Sequence, residues 1–226
     1  MRRHYRPMST RASSRARVRR QPKKGRYDRA AIDAVLDRGL VGHVAFVHEG
    51  DPYCIPMLYA RVGDKVYIHG STASRAVRTL AAGAAACLTV TTLRGLVLAR
   101  SAFEHSANYD SVMILGRFHR IEDEAERLAA FEAFTNALLP GRWGEVRAPS
   151  RKELKATAIL AMDIDEASVK ARSGPPGDDD SADAALDTWA GVIPVATSFG
   201  EPVASPGLRP GIPMAASVRE LLARSR

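Results

Sequence analysis

The sequence predicts an α+β protein, mainly β, built on a small antiparallel barrel with peripheral helices. Three strand-like segments follow one another within residues 40–70, and the Gly50-Asp51 and Gly63-Asp64 turns between them are typical of hairpins. Further strand-like segments cover 85–100, 111–121, 156–164, 167–174 and 189–197. Helices and strands do not alternate as they would in a parallel doubly wound sheet. Many short strands with few helices therefore favour an antiparallel barrel.

Helices are predicted at five places around these strands. The first spans 28–38, with Asp28 as its N-cap and Gly39 as its C-cap. A short helix follows residue 74, and a long amphipathic helix spans 122–139, with an apolar face formed by Leu128, Phe131, Phe134 and Leu138. Ser150 and Glu153 have the spacing of a capping box before a fourth helix, and 215–223 is the fifth. Pro56, inside the second strand, indicates a sheet edge or a bulge.

The positive charge of the chain is concentrated in residues 1–26. Of the 33 basic residues in the 226-residue chain, 11 lie in this segment, which has no acidic residue. The remainder has 22 basic residues against 25 acidic ones, a net charge of −3. We expect 1–26 to be a disordered Arg-rich tail and 27–226 to be one domain with a C-terminal extension. The tail is the only segment expected to contact nucleic acid or an anionic surface.

Targeting and cysteine patterns favour a cytoplasmic protein. The N-terminal segment lacks the apolar run of a secretory signal, and no apolar run approaches the roughly 20 residues that span a bilayer. The two cysteines, Cys54 and Cys87, have no metal-ligand spacing, so we expect free thiols in a reducing compartment and no metal site. A disulfide between them remains open.

The residues from Ile68 to Leu80 form the strongest candidate for a ligand site. A strand ends at Ile68-His69, small and hydroxylated residues follow, and a helix begins with Arg75 in its first turn. Backbone N–H groups, the hydroxyls of Ser71 and Ser74 and the Arg75 guanidinium are suited to a phosphate. Neither GxxxxGK nor GxGxxG is present. An ordinary N-capped strand-to-helix turn is the alternative.

Several segments resemble the FMN-binding split barrel of the pyridoxamine 5′-phosphate oxidase-like superfamily. The resemblance lies in GHVAFVHEGDPYCIPMLYARVGDKVYIHG, the STASRAVRTL that follows it, ARSAFEHSANYDSVMILGR and PGRW. It extends over about 27–220 and is strongest to bacterial flavin-nucleotide-binding proteins related to nitroimidazole-resistance proteins. It implies an antiparallel split β-barrel, a homodimer and one FMN per subunit near the dimer interface.

The resemblance also implies which residues bind FMN. Ser74-Arg75 match the Ser-Arg of a Ser-Arg-Lys run that grips the FMN phosphate, but Ala76 stands where the lysine is expected. The cofactor-binding candidates are Pro56, Met57, Leu58, His69, Gly70, Ser71, Ser74, Arg75, Ser106 and Trp189. His105 and Arg100, from a polar loop, are candidates for catalysis, although no catalytic residue is assigned.

The leading hypothesis is an FMN-dependent oxidoreductase that acts on an unidentified small molecule. With Ala76 in the lysine position and no recognisable segment for pyridoxal phosphate, true pyridoxamine 5′-phosphate oxidase activity is not expected. The alternative is a non-enzymatic module that binds flavin, deazaflavin or haem and uses its basic tail to reach nucleic acid or membrane. A haem would need an axial ligand, for which His69 and His105 are the candidates.

Overall fold

The computed structural model describes residues 13–224, which contain ten strands and five α-helices. The strands are β1 (Gly25–Arg26), β2 (Val41–His48), β3 (Asp51–Val62), β4 (Lys65–Ser71), β5 (Ala85–Leu98), β6 (Ser106–Arg117), β7 (His119–Arg120), β8 (Thr157–Asp163), β9 (Glu166–Arg172) and β10 (Gly191–Pro194). The helices are α1 (Arg29–Arg38), α2 (Arg75–Ala81), α3 (Glu124–Leu138), α4 (Arg151–Ala156) and α5 (Ala216–Arg224). The predicted mainly antiparallel α+β fold is confirmed.

All strands belong to one antiparallel sheet, in the order β1-β9-β6-β5-β2-β3-β4-β8-β7, with β10 paired to the end of β5. The sheet does not close, because β1 and β7 lie at opposite ends of this order. One buried cluster nevertheless contains side chains from every strand between β9 and β8, together with α1 and α2. The open sheet therefore curls around a single core.

The hairpin turns form as the sequence indicates. Glu49 and Gly50 both have positive φ (52° and 90°) in the β2–β3 turn, and Gly63 has φ 59° in the β3–β4 turn. Gly95 marks a register shift in the β5–β6 pairing. These turns fix the register that places alternate residues of β2 and β3 inside and outside the sheet.

Pro56 lies at a sheet edge, as predicted. Residues 51–58 of β3 pair with β2, whereas only 59–62 pair with β4. The second edge of β3 therefore has no strand partner over 51–58 within the described residues. We call these eight residues the open edge of β3.

Part of the N-terminal segment is ordered, in contrast to the prediction for 1–26. Ala16 is buried, Arg15 pairs with Glu166, and the Val18 N–H donates to the Tyr27 hydroxyl at 3.0 Å. β1 then pairs with β9. These contacts hold the segment against the sheet. Residues 1–12 lie outside the described residues, and contact of the tail with nucleic acid or anionic surfaces stays a prediction.

Helix α3 packs against the outside of β3, β4 and β8 through part of the predicted apolar face. Ala130 and Phe134 are buried, with Phe131 and Ala133 beside them, whereas Leu128 and Leu138 are exposed. Among the described residues, no helix is long and apolar enough to span a membrane.

Candidate functional site

The turn from Ser71 to Arg75 connects β4 to α2 and is held by its own backbone. The Ser74 N–H donates to the Ser71 carbonyl at 2.9 Å, and the Ser71 hydroxyl accepts the Ala73 N–H at 3.2 Å. Gly70 is required before the turn, because a Cβ there would lie 2.8 Å from a methyl group of Val77 in α2. Ser74 is the N-cap residue of α2, yet its hydroxyl makes no capping hydrogen bond. That hydroxyl is therefore available to a ligand.

Arg75 joins this turn to the open edge of β3. Its guanidinium lies 4.2 Å from the centre of the Tyr53 ring, and Tyr53 in turn stacks on Phe46. The Arg75 side chain is exposed and makes no ion pair with any residue in 13–224. A cation–π contact of this kind positions the guanidinium while leaving its N–H groups free to bind an anion. The structure thus brings together Ser71, Ser74 and Arg75 with the strand that carries Pro56, Met57 and Leu58.

His69 lies on β4 directly before the turn, in an apolar slot on the outside of the sheet. Its ring packs edge-on against Phe134, with the ring centres 4.5 Å apart. Its Nδ1 atom is buried and has no hydrogen-bond partner. Burial lowers the pKa of His69, so the imidazole is neutral at pH 7. The other side chains that line the slot are Leu40, Leu58, Tyr59, Phe134, Ala137 and Leu138.

Tyr59 does not compete with His69 for a ligand in this slot. Its hydroxyl donates to the Leu36 carbonyl, and burial raises its pKa, so the phenol stays protonated. Of the slot's side chains, His69 alone therefore presents a nitrogen lone pair. A neutral imidazole in an apolar slot is suited to bind a metal centre such as haem iron.

Arg100 is held by carboxylates at the far end of β5. Its Nη1 atom lies 3.3 Å from Asp178 Oδ1 and 2.9 Å from Asp179 Oδ1, and its backbone N–H donates to Asp178 Oδ2 at 2.6 Å. Burial acts to raise the pKa of Asp178, but the N–H groups of Arg100 and Ser101 and the Arg100 charge outweigh it, so the pKa lies below its usual value. Asp178 is only 1% exposed, so these contacts fix it against the end of β5.

The remaining predicted residues lie near Arg100. The Nδ1–H of His105 donates to the Ser101 carbonyl at 2.9 Å, and Ser106 begins β6 opposite Val97. Trp189 precedes β10, is 67% exposed, and lies against the backbone of Gly191. Because β10 pairs with the end of β5, these residues gather at one end of the sheet.

The two groups of predicted residues do not meet within one chain. Tyr53, which contacts Arg75, is opposite Phe46, and Phe46 is opposite Ala86 at the start of β5. Ser106 is opposite Val97, eleven residues further along the same strand. At about 3.3 Å per residue, Ser106 therefore lies roughly 35 Å from Tyr53 along the strand.

Some residues that shape the site escaped the sequence analysis. Tyr53 carries no motif, and its role depends on the β2–β3 register. Phe134 was interpreted only as part of an apolar helix face, although it also packs against His69. Asp178 has no sequence signal that separates it from the exposed Asp180 two residues later.

The two cysteines are free and the register excludes a bond between them. Cys54 and Cys87 both pair with Ala45, from opposite sides of β2. Two strand spacings separate them, about 10 Å, which exceeds the reach of a disulfide. No group of three His, Cys, Asp or Glu residues in 13–224 is arranged to hold a metal ion.

The family of the chain follows from comparison with known proteins. The sequence model of the family described as pyridoxamine 5′-phosphate oxidase matches residues 28–171, which is more than half of the chain. The chain belongs to the pyridoxamine 5′-phosphate oxidase-like family. The resemblance inferred from the sequence is thereby confirmed. No curated protein sequence matches the chain significantly.

Solved structures of this family resemble the chain along most of its length. The flavocytochrome Anf3 from Azotobacter vinelandii is 40% identical, with a TM-score of 0.87, covering 92% of this chain and 97% of its own. The FAD and heme binding protein from Mycobacterium smegmatis is 43% identical, with a TM-score of 0.84 and coverages of 88% and 97%. These similarities confirm the split-barrel fold class.

A third structure shares the fold alone. It is a putative 5-nitroimidazole antibiotic resistance protein from Bacteroides thetaiotaomicron, with 19% identity and a TM-score of 0.56. The matched region covers 65% of this chain and 85% of that one.

Proposed function

We propose that this family member is a redox protein that binds a flavin nucleotide and a haem, and that it acts as an oxidoreductase on a small molecule. One observation carries the proposal: His69, whose buried Nδ1 atom has no hydrogen-bond partner, lines an apolar slot and lies two residues before the Ser71–Arg75 turn. Sites suited to two different redox groups thus adjoin on one strand. The two structures that are 40% and 43% identical are named for a flavocytochrome and for FAD and haem binding, which supports the same conclusion.

The turn and the open edge of β3 fit the flavin. Arg75 and the Ser71 and Ser74 hydroxyls would hold the phosphate, with the backbone of Pro56, Met57 and Leu58 beside the ring. FMN satisfies these contacts, and FAD contains the same portion. When bound, the isoalloxazine ring supplies one- and two-electron transfer. The chain's own part is to fix the position of the ring, supply charge at the phosphate and exclude water from one ring edge.

The slot beside His69 fits one edge of a haem. His69 would bind the iron, and the aliphatic and aromatic walls of the slot would exclude water from it. The slot has a cavity volume of about 20 Å³, far less than the volume typical of a site that encloses a whole ligand. Exposed Leu40, Leu58 and Leu138 extend the apolar surface beyond the slot. A haem seated there would therefore rest partly on this surface, outside the chain.

We also propose a homodimer with the flavin near its interface. Four outward residues on each of β2, β3 and β5 form a surface without a Lys, Arg, Asp or Glu, which we call the outer face: Val41, His43, Ala45, Val47, Pro52, Cys54, Pro56, Leu58, Ala85, Cys87, Thr89 and Thr91. An uncharged sheet surface of this size is typical of subunit contacts. A second copy would also bring its own Trp189, His105 and Ser106 towards a flavin that one chain's residues cannot surround.

Flavin retention tests this function. Purified protein incubated with FMN or FAD and passed through a desalting column should retain about one flavin per chain, released on denaturation and identified by chromatography. Arg75→Ala should retain less of either flavin, by roughly tenfold in affinity, since it removes a charged hydrogen-bond donor. Arg219→Ala, which removes an exposed arginine of α5, is the matched control. Retention of neither flavin by the wild type would reject the flavin assignment.

The cytoplasm suits this function. Both cysteines are free thiols, and Cys54 is exposed, which is the state expected in a reducing compartment.

A further inference from the structure

The segment from 196 to 214 is exposed along its whole length, although it is anchored at both ends. All nineteen of its residues are exposed, and none belongs to a helix or a strand. Before it, the Val195 N–H donates to the Arg94 carbonyl at 3.0 Å, directly after β10. After it, the Ser217 N–H and hydroxyl donate to the Glu145 carboxylate at 3.0 and 2.5 Å. We call residues 196–214 the strap.

The strap is apolar for a segment that contacts so little of its own chain. It presents five large apolar side chains to solvent: Phe199, Val203, Leu208, Ile212 and Met214. Its four prolines restrict the backbone, so ordering the strap on a partner costs less conformational entropy. A loop of nineteen residues without secondary structure is uncommon in a compact domain, and such loops often have a binding role. An exposed apolar strap therefore favours a state in which a partner covers it.

The outer face alone is too small for a stable dimer. Its twelve residues lie about 4.8 Å apart between strands and about 6.7 Å apart along them, so they cover roughly 400 Å². A standard protein–protein interface buries about 800 Å² on each partner. The strap is suited to supply the remainder, because its charged residues are one acid and one base, Glu201 and Arg209. A second copy of this chain is therefore the partner that the strap fits.

We infer that the strap of one copy packs on the other copy, at the edge of the outer face marked by Leu58, and closes the His69 slot of that copy. The inference rests on the proposed homodimer. Leu58 belongs both to the outer face and to the lining of the slot, so an apolar segment on this edge also covers the slot. The exposed side chains of Leu40, Leu58 and Leu138 form the rim, and no strap residue lines the slot of its own chain. The second copy thus contributes the outer wall that one chain lacks.

Photo-crosslinking between two tagged copies of the full chain tests this inference. One copy carries p-benzoylphenylalanine in place of Val203, the other carries none, and the two are co-expressed with different tags and purified through both. Irradiation should join the two chains, and mass spectrometry should map the cross-link near Leu58 or Leu138 of the copy without the photoreactive residue. The same residue in place of Ala129, an exposed position of α3, is the matched control and should not join the chains.

Val203→Asp gives a second measurement. Because Val203 is 94% exposed, its side chain contributes little to the fold of its own chain, and the circular dichroism spectrum should not change. Dimerisation, measured by analytical ultracentrifugation, should weaken by at least about tenfold, since the carboxylate would be buried among apolar side chains. Ala129→Asp introduces the same charge on α3 and should leave the dimer affinity unchanged.

Several results would overturn the inference while leaving the homodimer in place. One is a purified heterodimer in which the cross-link stays within the chain that carries the photoreactive residue, or in which no cross-link forms. Another is a cross-link to the other chain far from Leu58 and Leu138, and a third is a Val203→Asp variant with the dimer affinity of the wild type. A monomeric wild type would instead overturn the proposed homodimer and this inference together.

Discussion

At the scale of single residues, the packing beside the His69 slot requires a glycine at position 39. Gly39 lies between α1 and β2, next to Leu40 of the slot. A Cβ at residue 39 would lie 2.3 Å from Val90 Cγ1 and 2.7 Å from the Tyr59 hydroxyl. Gly39 has an ordinary extended backbone, with φ −82°, so it is the space and not the conformation that requires glycine.

Gly39→Ala is therefore expected to lower the free energy of unfolding by about 1–3 kcal/mol, because the methyl group must displace Val90 or Tyr59. Gly144→Ala is the matched control, since nothing lies within 4 Å of the added carbon there. It should change stability by no more than about 0.5 kcal/mol. Urea unfolding of both variants measures the difference, and equal stabilities would contradict the packing described for the α1–β2 junction.

The sequence predicted the position of the candidate turn but not the contacts around it, and the ligand roles of its residues stay predictions. Ser71, Ser74 and Arg75 were recognisable because hydroxyls and an arginine follow a strand end, and they do lie together in one turn. The cation–π contact between Arg75 and Tyr53 was not predictable, because it depends on which residues of β3 reach α2. Likewise, the missing hydrogen-bond partner of His69 becomes visible only when α3 covers β4.

At the scale of helices and strands, the sequence predicted helix ends correctly where the capping residues lie close together in the chain. Asp28 accepts the Ala31 N–H as the N-cap of α1, and Ser150 and Glu153 form the predicted capping box of α4. Such motifs involve only residues within one helical turn, so they can be read without tertiary information.

Element predictions failed where tertiary contacts decide the outcome. Residues 13–26 have too few apolar side chains to predict order, yet strand pairing with β9 and the burial of Ala16 seat them. Of the four apolar residues predicted to face the core from α3, Leu128 and Leu138 are exposed, because only part of the helix contacts the sheet. Asp178 is anchored by Arg100, 78 residues away in the chain, and no local sequence signal indicates this contact.

At the scale of the whole molecule, the uncharged outer face leads us to predict a dimer. The wild type should elute with twice the 24.4 kDa mass of the chain. Ala45→Glu places a charge at the centre of the outer face, between Cys54 and Cys87, and should shift the protein to the monomer mass. Light scattering after gel filtration measures both masses.

The matched control for assembly is Ala129→Glu, the same substitution at an exposed position of α3. It should leave the mass unchanged, and thermal unfolding should show that both variants are folded. A monomeric wild type, or an Ala45→Glu variant that keeps the dimer mass, would show that the outer face is not the interface.

We propose that the protein holds both a flavin and a haem, and the visible absorbance spectrum of the protein purified from haem-supplemented cells tests this proposal. The wild type should show a Soret band together with a flavin that is released on denaturation. Since burial lowers the pKa of His69, protons should compete with iron only below the usual pKa of histidine, and the Soret band should persist from pH 8 to about pH 6.5. His69→Ala should lose the Soret band and keep the flavin, whereas His119→Ala, at an exposed position of β7, should keep both. A wild-type spectrum with neither group, or a Soret band unchanged in His69→Ala, would contradict the account.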